Sequence, residues 1–207
     1  MISGLLLWSA LVVTSQGSLP PADSSTQGIS IVEERLEAVR KEPTDPRARL
    51  ELGMAYAETE EYDFAMSELV EAIRLNPDNK ENLSAQANFQ LGMVLSTLDR
   101  PGLATKAYRE ALRLGLREAP VHTALGEALA AERKYEEAIG EYRAALILSP
   151  NSFAARAGLA LALEASGHPD EAISEYEAAL QMSPPADDHA VGAIKQRLTL
   201  LKDRRRL

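Results

Sequence analysis

Residues 136–151 read EEAIGEYRAALILSPN, and residues 170–184 read DEAISEYEAALQMSP. The two phrases start thirty-four residues apart, and a fixed period of that length is the mark of a repeat architecture. Extending the frame in both directions finds more copies. Small residues stand at Gly53, Gly92, Gly126 and Ala160, each preceded by a leucine: Leu52, Leu91, Leu125 and Leu159. Twelve residues beyond each small residue comes an alanine: Ala65, Ala104, Ala138 and Ala172. Four further on stand Leu69, Tyr108, Tyr142 and Tyr176, and three beyond those Ala72, Ala111, Ala145 and Ala179. Another five residues lead to Pro77, Leu116, Pro150 and Pro184.

Each position has a packing reason. Small residues at two places let paired helices approach closely, and the Tyr or Leu one helical turn later fills the hole that they leave. The later alanine lets the next unit stack on the same helix. Proline cannot continue a helix, so it marks the exit from each unit. Short polar turns, EEYD, RPG, RKYE and HPD, separate the two helices, with Pro101 and Pro169 suited to a first helical position.

In this order the pattern resembles the tetratricopeptide repeat family, with its helix–turn–helix unit of about 34 residues. The resemblance covers residues 46–79, 85–118, 119–152 and 153–186 as four units. The early Trp of the family is replaced by Arg49, Asn88, His122 and Arg156. Leu116 stands where Pro belongs, with Gly115 before it as a left-handed terminator. The residues KENLS at 80–84 interrupt the register; they either extend the first helix of the second unit or form a loop above it. Residues 29–42 read as a partial repeat helix. At the other end, 187–207 read as a capping helix and basic tail, with Val191, Ile194, Leu198 and Leu201 on one face. The fold expected is therefore all-α: an α-solenoid of four repeats with a capping helix at each end.

Composition agrees with that reading. The 207 residues are 45% hydrophobic, 26% charged and only 5% aromatic, with Ala and Leu dominating the apolar set. The net charge is −9, and residues 46–186 carry 13 basic against 22 acidic side chains. Such a body repels phosphates, so no nucleic-acid partner is expected. The terminal KDRRRL is basic, but it ends a helical pattern, where cations complement the helix dipole.

The first residues differ from the rest. An apolar run from Ile2 to Val13 passes into a Pro/Ser-rich stretch, the layout of a signal peptide over 1–17 and a flexible linker over 18–28. SQG at 15–17 offers a cleavage site that would leave Ser18 first, although no Lys or Arg precedes Arg35. The expectation is an exported, periplasmic or secreted protein, with membrane association only through residues 2–13 if the segment is retained. Cysteine is absent, which removes disulfides, thiolate chemistry and a lipidated cysteine.

No catalytic, cofactor or metal site is expected. His122, His168 and His189 show no metal-ligand spacing, and neither a nucleophile elbow nor a phosphate loop is present. The acid pairs Glu60-Glu61 and Glu136-Glu137 precede or open second helices, where negative charge suits the N-terminus.

What the resemblance implies instead is a groove lined by the first helix of every unit, at positions six and three before the small residue and one and four after it. The candidates there are Leu50, Met54, Phe89 and Met93, a mainly apolar patch, and Glu127, Leu161 and Glu164 further along, with Gln90 beside Phe89 as a further groove candidate. The two acids favour a partner with a basic segment. The subfamily that clamps a chaperone-tail carboxylate needs Lys, Asn and Arg; here Leu50, Met54, Gln90, Pro120 and Ala124 supply no cationic donors, so that ligand is not expected. The function implied is a non-enzymatic scaffold, monomeric or weakly homo-oligomeric, binding a peptide or helix of a partner protein. Self-association as a structural protein, or service as an accessory subunit of an envelope enzyme or assembly complex, are the alternatives.

Overall fold

The structure, a computed structural model, describes residues 24–182 and 188–205. The signal segment read at 1–17 and the junction at 183–187 lie outside them. Ten α-helices and no strand are found among the described residues. They are α1 (Ser24–Lys41), α2 (Pro46–Glu58), α3 (Tyr62–Leu75), α4 (Leu83–Thr97), α5 (Pro101–Arg113), α6 (Ala119–Ala131), α7 (Tyr135–Leu148), α8 (Phe153–Ala165), α9 (Pro169–Gln181) and α10 (Asp188–Arg205).

Four helix pairs, α2/α3, α4/α5, α6/α7 and α8/α9, follow one another, each joined by a three-residue turn. The turns share one backbone solution. Glu60, Asp99, Arg133 and Gly167 all take a left-handed φ, at 63°, 54°, 63° and 87°. The next amide then reaches back to the helix: Glu61 N donates to Tyr56 O at 2.8 Å, and Arg100, Lys134 and His168 do the same to Leu95, Leu129 and Leu163. These bonds satisfy carbonyls that the helix end would otherwise strand.

Packing within each pair follows the small-residue rule. A Cβ on Gly53 would meet Leu69 at 2.8 Å, on Gly92 it would meet Tyr108 at 2.4 Å, and on Gly126 it would meet Tyr142 at 2.8 Å. Ala65, Ala104, Ala138 and Ala172 are fully buried, as are Ala72, Ala111, Ala145 and Ala179.

Two departures from the sequence reading concern the joins. Helix α1 begins at Ser24, inside the stretch read as a linker. The KENLS insertion is divided: Lys80–Asn82 make one 3-10 turn, and α4 starts at Leu83. Asn76 and Asn79 hold that turn. Asn76 exchanges bonds of 3.0 Å with Lys80 N and O, while Asn79 accepts from Ala85 N at 3.0 Å and donates to Leu114 O at 2.9 Å.

At the C-terminal end α10 lies on α9 with Ile194 and Leu201 buried. Three ion pairs fasten it: Arg197–Glu164 at 3.1 Å, Lys202–Glu177 at 2.6 Å and Arg205–Asp170 at 3.4 Å.

Candidate functional site

The first helices of successive pairs touch one another, α2 to α4, α4 to α6 and α6 to α8. The second helices instead meet through long side chains, Arg109 to Glu137 at 2.5 Å and Arg143 to Glu171 at 3.0 Å. Elements packed more closely on one side of a stack lie on its inner curve, so the first helices form the concave wall.

A recess of about 520 Å³ opens on α4, α6 and the start of α8. Its apolar wall is Phe89, Met93, Tyr108 and Pro120, and its polar lining is mostly hydroxyl: Ser96, Thr97, Thr123, Ser149 and Ser152. Phe89 is half-buried and meets Tyr108 in a tilted contact with ring centroids 5.9 Å apart; Met93 is 45% exposed. Glu127 is the one charged side chain among the described residues that line it.

Glu127 keeps contact with solvent at the mouth of the recess, yet enough protein surrounds its carboxyl that loss of hydration raises its pKa. Its charge also adds to the upward shift of the Tyr108 and Tyr142 phenols, for which burial is the larger cause.

The remaining candidates divide. Leu50 is only 4% exposed and belongs to the interior formed with Leu69, Leu83 and Val94, so it offers nothing to a ligand. The reason is the neighbouring pair: α3 and α4 close over that face of α2. Met54 is half-buried beside the same cluster, and Gln90 is half-buried outside the recess lining.

Leu161, 42% exposed, and Glu164 lie in a second recess of about 560 Å³ against α10. Glu164 is already engaged there: the Tyr176 hydroxyl donates to it at 2.8 Å, and Arg197 donates to the same oxygen at 3.1 Å. It is a strut for the capping helix, not a spare charge.

One set of polar contacts went unread in the sequence. Three of the residues standing in place of the family Trp pair with an acid nineteen positions later. These are Arg49 with Glu68 at 2.6 Å, His122 with Glu141 at 2.7 Å and Arg156 with Glu175 at 2.8 Å. Arg49 and Arg156 also donate to Pro43 O and Pro150 O, tying the entry turn to the second helix. The recurrence of Glu at 68, 141 and 175 was the available signal. Asn88, lacking such an acid, donates to Ser84 O at 2.8 Å within its own helix. No cluster of three or more His, Asp or Glu fit for a metal ion occurs among the described residues, and no described helix is long and apolar enough to cross a membrane.

Comparison with curated proteins finds no sequence match. Among solved structures, YrrB, described as a TPR protein with an unusual peptide-binding site, is 20% identical. The match covers 84% of this chain and 91% of YrrB with a TM-score of 0.68. MamA from Desulfovibrio magneticus RS-1 is 18% identical over 81% of this chain and 99% of its own, with a TM-score of 0.65. The pilF protein of Pseudomonas aeruginosa is 24% identical over 84% and 71%, with a TM-score of 0.63. At such identities the likeness is one of fold. A family model described as tetratricopeptide repeat matches residues 33–80, 89–153 and 123–187. With well over half its length so matched, the chain belongs to the tetratricopeptide repeat family, whose members generally serve as protein-interaction scaffolds.

Proposed function

We propose that this protein is a non-catalytic scaffold that holds a peptide or helix of a partner protein on its concave wall, at the recess of α4, α6 and α8. The observation that carries the reading is the recess itself: Phe89 and Met93 present apolar surface beside the carboxylate of Glu127, which has no partner among the described residues. Burying that surface supplies affinity at about 25 cal/mol per Å² before the costs of association. Methionine adapts its shape to a partner, and a rigid aromatic beside it gives a fixed contact. The description of YrrB, similar in fold, as having an unusual peptide-binding site supports a peptide as the ligand. The role usual in the family supports the non-catalytic part of the reading.

Selection of a displayed random peptide library on the wild-type protein tests it. Enriched peptides are expected to bind the purified protein and to lose binding to the Phe89→Asp, Met93→Asp double variant. Both positions are partly exposed, so the helical CD signal should persist. Binding that survives the double change refutes the placement.

The same reading puts the protein outside the cytoplasm, on the strength of the apolar run Ile2–Val13 and the cleavage site after it. Trp8 is the single tryptophan and precedes that site. Processed native protein should emit as tyrosine alone, and tryptophan emission from native material would count against cleavage.

A further inference from the structure

Of the side-chain rows on the concave wall, the two that follow the small residues differ, and the structure leaves one of these two free. Four residues after each small position stand Ala57, Ser96, Ala130 and Glu164. That row is consumed internally: Ser96 bonds the Tyr108 hydroxyl at 3.1 Å, Glu164 holds Tyr176 and Arg197, and the alanines have nothing polar to offer. One residue after each small position stand Met54, Met93, Glu127 and Leu161. Met93 and Leu161 are 45% and 42% exposed, and Glu127 between them is exposed and has no ion pair or hydrogen bond to any described residue. The free row over the last three units is thus apolar, acidic, apolar.

Its spacing selects a ligand conformation. Packed helices lie about 8–10 Å apart, so successive members of the row repeat at roughly that distance. A β-strand does not match, because side chains three residues apart point to opposite faces. A polyproline II chain does: three residues per turn at 3.1 Å each bring every third side chain to one face at about 9 Å. Thr97 and Thr123 of the lining already donate to Met93 O and Ala119 O. The Ser152 hydroxyl, which only accepts from Ala155 N, can donate to such a chain, whose backbone has no internal hydrogen bonds. A carboxylate with reduced hydration and no cation among the described residues of its recess gains from an incoming ammonium or guanidinium.

Resting on the groove reading above, we infer that the partner presents a polyproline II segment with Lys or Arg at its centre and an apolar side chain three residues to either side. The basic group meets Glu127, and the apolar groups meet Met93 and Leu161. Glu164 takes no part in the contact.

The probe is a fluorescein-labelled peptide, Leu-Pro-Pro-Arg-Pro-Pro-Leu, read by fluorescence anisotropy on the full chain. Two companions carry Glu at the centre, or Arg moved one place off centre. The central-Arg peptide should bind, and each companion should bind on the order of tenfold more weakly. Glu127→Gln should weaken the central-Arg peptide by a similar factor, and Glu127→Lys should bring the central-Glu peptide to the tighter side. Glu164→Gln should leave the ranking unchanged. Equal binding of the three peptides, indifference to Glu127→Gln, or no binding of the central-Arg peptide at millimolar concentration overturns the inference. Library peptides that need Phe89 and Met93 but ignore Glu127 would overturn it while the groove reading stands. Loss of that dependence as well removes both.

Discussion

The Tyr176 hydroxyl donates a 2.8 Å hydrogen bond to Glu164, twelve residues earlier on the partner helix of its own unit. Because Arg197 of α10 binds the same carboxylate oxygen, one acid joins the last repeat to the helix that covers it. Glu164→Ala leaves a phenol and a guanidinium without their acceptor, at a cost of about 1–3 kcal/mol. The low end is expected, since water can reach the site. Tyr176→Phe, which removes one bond and no charge, should cost about 1 kcal/mol. Urea unfolding followed by CD decides, and unchanged midpoints in both variants would discard the strut.

Gly92 stands directly under the Tyr108 ring, where an added Cβ would come within 2.4 Å of Cε1. Alanine gains up to about 1 kcal/mol in a helix interior, whereas overpacking a tight contact costs about 1–3 kcal/mol. The clash should win, giving a net loss of about 1–2 kcal/mol. Gly140 has no neighbour near its Cβ position, so Gly140→Ala should stabilise by up to about 1 kcal/mol. Thermal melting of the two variants should move in opposite directions.

The left-handed turn residue is Gly in only one of four units. Asp99 adopts φ 54° with a side chain in place, whereas Gly167 adopts φ 87° without one. Forcing an L-residue into this region costs about 1–2 kcal/mol, against an entropic cost of about 0.4–1 kcal/mol for glycine. Asp99→Gly should therefore be neutral or stabilising by up to about 1 kcal/mol, and Gly167→Ala destabilising by about 1 kcal/mol or more. Denaturant midpoints test the pair, and a loss of stability in Asp99→Gly would contradict the account.

Arg49 and Glu68 are about one-fifth exposed and 2.6 Å apart, better placed than the ion pairs on the outer surface. A double-mutant cycle with alanine at each position should return a coupling on the order of 1 kcal/mol. The more exposed Arg113–Glu110 pair should return a few tenths of that. Equal couplings would argue that partial burial adds nothing.

Glu127 sets a pH dependence whose sign follows from its raised pKa. The recess favours the protonated carboxyl, so the ionised form lowers stability relative to it. That penalty is absent below the pKa of the unfolded chain and complete above that of the folded chain. Glu127→Gln should melt slightly above wild type at neutral pH, and the difference should close on acidification. The phenols that face Glu127, Tyr108 from α5 and Tyr142 from α7, have pKa values above 10 and stay neutral throughout this range. Binding of a basic peptide should weaken over the same acid limb. A stability difference that grows on acidification would reverse the sign and refute the assignment.

The repeat architecture was legible in the sequence because it rests on local rules. Small residues opposite Leu69, Tyr108 and Tyr142, turns of fixed length and prolines at helix starts act within one unit. The repeat displays them four times over, the last three copies at a period of thirty-four residues. What the sequence could not decide was which wall positions remain free, because that depends on neighbours distant along the chain. Leu50 looks like its repeat-mates on the wall, yet α3 and α4 bury it. Glu164 and Glu127 look alike as groove acids, yet only Glu164 has Tyr176 beneath it and Arg197 thirty-three residues on to bind it. The pattern of residues dictates how each unit closes. Stacking of the units, by burying one side chain and pairing another, decides that Met93, Glu127 and Leu161 stay exposed on the wall.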